Sequence, residues 1–193
     1  MEDLSPEDLY TSEAYANLRP QFRARVMEHK KHRRLQLGEH LALLFEDRLT
    51  MQYQVQEMLR VERIFEAQGI RAELDAYNPL IPDGSNWKAT MMIEYPDADE
   101  RHRMLEQLVG IEDHVWVQVG DTAKVFAIAD EDMERTTAEK TSSVHFLRFE
   151  LSPEMVAALK NGAELRAGVD HAIESCSVEI TPAMHESLIA DLD

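Results

Sequence analysis

The residues of this sequence that could do chemistry are a few histidines and carboxylates in apolar surroundings. His145 opens the stretch VHFLRFEL (144–151), and strand alternation puts it on one side with Leu147, Phe149 and Leu151, the inward set. His171 closes a second strand pattern on the side of Val169, directly after Asp170. Two inward imidazoles with a carboxylate are a donor set for a metal or for acid–base work, so His145, Asp170 and His171 are the metal candidates. The competing reading is a pair of hydrogen-bonded core histidines. On a helical wheel drawn over 51–66, Val61, Phe65, Met58, Met51, Val55 and Leu59 form one apolar arc, and Glu62 falls near its middle. A buried carboxylate must be paired, metal-bound, protonated or beside a cavity, so Glu62 is either an ion-pair partner of an arginine or part of a site. The catalytic candidates are therefore Glu57, Glu62, His145 and His171.

A second kind of chemistry is electrostatic. The chain carries a formal net charge of −17, which opposes nucleic-acid binding. Yet Arg19–Arg34 holds seven basic residues and one acid. Arg23, Lys30, Lys31 and Arg34 are the candidate contacts for an anion or an acidic partner surface. His29 and His32 sit one helical turn apart, but the basic residues around them oppose a cation. No Walker, dinucleotide-binding, nucleophile-elbow or zinc-protease motif is present, so no cofactor is indicated. The single cysteine, Cys176, excludes an internal disulfide. With no apolar run long enough to span a bilayer and no signal-peptide layout, a cytoplasmic, non-membrane protein is expected.

The elements that must position these residues read as follows. Residues 1–18 form a polar arm. A helix is expected from Pro20 to Gly38, then a buried strand over Leu41–Phe45, then a long helix without glycine or proline until Gly69. Lys88–Tyr95 is a strand with Ala89, Met91, Ile93 and Tyr95 on one face, and Asp97 caps the next helix. Val115–Val119 and Lys124–Ala129 read as a hairpin. The polar stretch 131–143 is a linker or mobile loop between a main portion (19–130) and a βαββα portion (144–193), the two forming one compact unit. The expected class is α+β, with a mixed, largely antiparallel sheet and packed helices.

The stretches FEDRLTMQYQVQEMLRVE (Phe45–Glu62), YNPLIP (Tyr77–Pro82) and VHFLRF (Val144–Phe149) resemble those of a bacterial family known as domain of unknown function 3501. The resemblance runs from about Arg19 to the C-terminus. It departs at Asp47, where Asn is frequent, and at Ala172-Ile173, where Pro-Tyr is common. Members are often encoded beside rubrerythrin and iron–sulfur or flavin-linked oxidoreductases. The resemblance thus implies a non-catalytic accessory or binding protein linked to redox or peroxide defence, with such proteins as partners. It supplies no catalytic residue. The alternative from the residues is a small metal-dependent or acid–base enzyme around Glu62, His145 and His171.

Overall fold

The computed structural model describes residues 2–193. In chain order the elements are α1 (Ser12–Lys30), β1 (Arg34–Leu37), β2 (Leu41–Glu46), α2 (Arg48–Val61), α3 (Ala67–Tyr77), β3 (Asn86–Ile93), α4 (Ala98–Gln107), β4 (Val115–Val119), β5 (Val125–Phe126), β6 (Ile128–Ala129), β7 (Val144–Glu150), α5 (Pro153–Lys160), β8 (Leu165–Asp170), β9 (Ser175–Glu179) and α6 (Pro182–Ile189). The fold is α+β. The strands form a five-stranded sheet, β1-β2-β3-β7-β6, and a four-stranded sheet, β5-β4-β8-β9. Every pairing is antiparallel.

The termini of several elements follow from local chemistry. Asp47, Asp97, Ser152 and Thr181 each accept a backbone N–H from the first turn of the helix they precede. Each such cap is worth about 1 kcal/mol. Pro153 and Pro182 stand at the first helical position, where the missing N–H costs nothing.

Alternation along the strands builds the main core. Leu43 and Phe45 of β2, Ala89 and Met91 of β3, and Leu147 and Phe149 of β7 share a buried cluster with Val115, Val117, Ala167 and Val169 of the second sheet. Leu159 of α5 and Leu188 of α6 close it. The opposite face of the five-stranded sheet is polar in an unusual row. Register aligns Glu46, Lys88 and Arg148 across β2, β3 and β7. Smaller clusters pack α1 against α2 through Phe22, Val26 and Tyr53, and α2 against α3 through Val55, Leu59 and Leu74.

Three sequence expectations about helix boundaries are corrected. Helix α1 begins at Ser12, eight residues before Pro20, which it accommodates internally. Arg34–Leu37 is not the end of that helix; it is the edge strand β1, with Leu35 and Leu37 facing the core. The long helix stops at Val61 because Arg63 takes a left-handed conformation (φ 56), and α3 restarts at Ala67 with Gly69 inside it. The polar stretch 131–143 joins two neighbouring strands of one sheet, and β8 pairs with β4, so residues 144–193 are interleaved with the rest.

Candidate functional site

The backbone change at Arg63 removes Glu62 from the core. Glu62 caps the C-terminus of α2 in an exposed position, and Val61 and Phe65 beside it are 57% and 63% exposed. The expected buried carboxylate is corrected. Glu57 is held in a network: Arg19 donates to both of its oxygens at 2.7 and 2.9 Å, and Tyr15 and Arg60 add 2.6 and 3.0 Å contacts. These donors, Arg19 first, hold its carboxyl at about 2. A group so stabilised as an anion is a poor proton acceptor.

The buried charges lie elsewhere. Arg33 is 1% exposed and donates to the Phe45, Glu46 and Ser187 carbonyls and to both oxygens of Asp191. Asp47 lies 3.4 Å from Arg33 and 2.5 Å from His29. Burial lifts Asp191 to about 6 against the pull of Arg33. Every member of this cluster has a partner, and it ties the C-terminal turn to β2.

His145 is fully buried, as alternation requires, but its companions differ from those expected. Its Nδ1 lies 2.6 Å from Asp130 Oδ2, and its Nε2 lies 2.8 Å from Thr141 Oγ1 and 3.0 Å from the Ser142 carbonyl. A carboxylate only accepts, so Nδ1 donates to Asp130, and Nε2 has the Thr141 hydroxyl and the Ser142 carbonyl within hydrogen-bond distance. Glu112 approaches Nε2 to 3.9 Å and accepts from Thr136 and Thr141. Asp130 also accepts from the Phe146 N–H at 3.0 Å and from Arg135 at 3.2 Å, and holds a left-handed conformation (φ 51). His171 instead lies 3.3 Å from the Val109 carbonyl and edge-on to His114, and Asp170 pairs with Lys124 at 2.6 Å. The structure therefore does not bring His145, Asp170 and His171 together.

Glu112, Asp130 and His145 do offer ligand atoms within 4.8 Å of one another. Their arrangement is that of a closed hydrogen-bond cluster. Two ligands of one zinc ion, each about 2.1 Å from it, stand about 3 Å or more apart, whereas Nδ1 and Oδ2 are 2.6 Å apart. Arg135 already supplies a cation to Asp130. The cluster's evident effect is mechanical: it pins both ends of the 130–143 segment, and Arg135 stacks over the Phe146 ring at 4.6 Å.

That pinned segment forms one wall of a wide groove. This groove of ≈ 790 Å³ lies over the second face of the five-stranded sheet. Lys88, Phe146 and Arg148 form its floor, Asp75 to Leu80 of α3 and the following turn form one wall, and Glu131 and Asp132 form the other. Arg148 is committed to Glu131 at 2.8 Å and to Glu150 at 2.5 Å. Lys88 is half-buried, and its Nζ has no hydrogen-bond or ion-pair partner among the described residues. Burial first, then the neighbouring Arg148 charge, lowers its pKa from the usual lysine value. Sequence reading missed this residue. Its signal was faint: Lys88 opens a strand whose outward set also holds the apolar Met92, the mark of a sheet covered on both faces.

The basic residues of the stretch 19–34 divide into two kinds. Lys31 pairs with Glu28 and Arg34 with Glu94. Lys30 sits over the Tyr53 ring at 5.9 Å, whereas Arg23 and Arg25 are exposed with no ionic partner among the described residues. No helix among the described residues is long and apolar enough to cross a membrane.

Residues 3–192 match the family described as "Protein of unknown function (DUF3501)". The chain belongs to this family. It is also similar to a solved crystal structure of a protein of unknown function from Burkholderia pseudomallei, at 55% identity, with 100% of both chains covered and a TM-score of 0.95. No curated protein matches it.

Proposed function

We propose that this DUF3501 protein is a non-catalytic accessory protein that binds a small ligand in the Lys88 groove. One observation carries the reading. Arg19, Arg33, Arg135 and Arg148 are committed to carboxylates and Lys30 lies over the Tyr53 ring, while Lys88 lines the groove with no ionic partner among the described residues. A concave site with apolar walls and one uncommitted polar group is the usual form of a small-molecule site. Tyr77, Leu80 and Phe146 supply apolar surface. Four carboxylates on the lining against two cations favour an uncharged ligand over an anionic one.

The link to redox or peroxide defence rests on the family resemblance, and we place a rubrerythrin or an iron–sulfur or flavin oxidoreductase as the protein partner on that ground. The free arginines of α1 are the surface that would meet such a partner. The ligand reading is tested by titrating isotope-labelled protein with benzyl alcohol, a small uncharged aromatic, and following backbone amide shifts. Shifts confined to Tyr77, Lys88, Asp132 and Phe146 and their neighbours are expected. Shifts elsewhere, or none, would remove the proposal.

A further inference from the structure

The groove contains one group with reactivity beyond binding. Lys88 Nζ stands on the floor, half-buried, next to the Arg148 guanidinium and without a partner of its own. The charged groups around it are Arg148, Glu131, Asp83 and Glu150, with Glu46 as its cross-strand neighbour and Asp75 and Asp132 on the groove lining. Glu131 and Glu150 are engaged with Arg148, Asp83 with Ser85 and Asn86, Glu46 with Thr90 and Asp132 with Arg135. A lysine partly removed from water beside a second cation is the arrangement that makes an amine nucleophilic at neutral pH.

We propose that Lys88 captures carbonyl compounds: its Nζ condenses reversibly with an uncharged aldehyde or ketone whose apolar or aromatic body occupies the groove beside Tyr77 and Phe146. This inference rests on the groove being the ligand site. The neutral amine adds its lone pair to the carbonyl carbon, forming a C–N bond and a hydroxyl. Loss of that hydroxyl with a proton as water leaves the imine, and hydrolysis reverses the sequence. No oxidant or reductant is consumed. The acidic lining, with Asp75, Asp83, Glu131 and Asp132, selects against carbonyl compounds that carry a carboxylate or phosphate. The direction of the Lys88 shift agrees with this use, because lowering the ammonium pKa raises the fraction of free amine near neutrality.

The test uses the full chain at neutral pH with limiting benzaldehyde and sodium cyanoborohydride, which delivers hydride to the iminium carbon and fixes the adduct as a secondary amine. Peptide mapping then compares Lys88 with Lys30, Lys31, Lys124, Lys140 and Lys160 in the same sample. Lys88 is expected to be modified on the order of tenfold faster than the exposed Lys140 and Lys160, because the groove holds the aldehyde against the amine. 4-Carboxybenzaldehyde should modify Lys88 more slowly than benzaldehyde does, and the Lys88→Gln variant should lose the fast-reacting site. Equal modification of Lys88, Lys140 and Lys160 would overturn the reactive amine. Faster labelling by the carboxylated aldehyde would overturn the ligand class. Benzyl alcohol, which has no carbonyl, separates the two claims. If it shifts the groove amides while benzaldehyde is not trapped at Lys88, capture falls and the binding reading stands. If it shifts nothing and trapping is unselective, both fall.

Discussion

Replacing Asp130 tests whether the buried cluster holds the groove wall. Asp130 accepts from His145, from Arg135 and from the Phe146 backbone, with its side chain 9% exposed. Asp130→Ala leaves the buried His145 Nδ1 and the Phe146 N–H without their acceptor, while Arg135 keeps its pair with Asp132, a loss of about 1–3 kcal/mol for each orphaned group. Alanine must also adopt the left-handed conformation at φ 51, which adds about 1 kcal/mol. For a chain of this length each 1 kcal/mol lowers the melting temperature by about 2–4 °C, so a drop of about 10–20 °C is expected. Asp130→Asn keeps the left-handed tolerance and an acceptor for the Phe146 N–H. It should cost less, about 1–3 kcal/mol. In that milder variant, cleavage by a protease within 131–140 should accelerate and benzyl alcohol should bind more weakly, because Glu131 and Asp132 are no longer anchored. Melting of Asp130→Ala within about 1 kcal/mol of the parent would show that the cluster is not an anchor, and the link from His145 to the groove would be lost.

Three other outcomes follow from the same structure. Asp191 titrates at about 6 in the folded chain against a usual 3.8, so the folded state keeps its proton where the unfolded state has lost it. Its contribution to stability is present below about pH 4 and is lost as pH rises through about 6, by up to about 3 kcal/mol. Denaturation of the parent and of Asp191→Asn at pH 4.5 and pH 7 should show the parent losing ground to the variant at the higher pH; the same difference at both would contradict the assignment. Metal analysis of protein purified without an affinity tag should show no stoichiometric metal that disappears in His145→Gln, since Arg135 and hydrogen bonds occupy the donors. Reversal of Arg23 and Arg25 to Glu should weaken capture of an acidic redox partner, more so at low salt, without moving the melting temperature; unfolding would instead make them internal partners of the acidic surface.

What the sequence revealed was mostly local. Caps at Asp97, Ser152 and Thr181, the apolar run of β2 and the alternation of β7 and β8 are written in neighbouring residues, and so was the inward face of His145. The failures came where distant chain decides. A helix carried on to Gly38 would put Leu35 and Leu37 on opposite sides, whereas pairing with β2 makes a strand in which both face the core. The wheel that buried Glu62 assumed a helix running past Val61, but the backbone turns at Arg63. The chain does bury carboxylates: Glu46 and Asp47 end an apolar strand, where Thr50, Thr90 and Arg33 reach them from other elements. Asp130 and Glu112 could not be joined to His145 from spacing, because 15 and 33 residues separate them along the chain. Lys88 was not singled out, because α3 and the 131–132 wall that enclose it come from other elements.

The central claim is that Lys88 is an uncommitted amine on the floor of a ligand groove. Its most direct test is the titration of the individual lysine side chains by carbon-13 NMR after isotopic dimethylation of the amines, with each signal assigned by Lys→Arg variants. The account predicts that the Lys88 signal titrates at lower pH than those of Lys140 and Lys160, and that benzyl alcohol moves the Lys88 signal alone. A Lys88 signal that titrates together with the exposed lysines and does not respond to benzyl alcohol would contradict it.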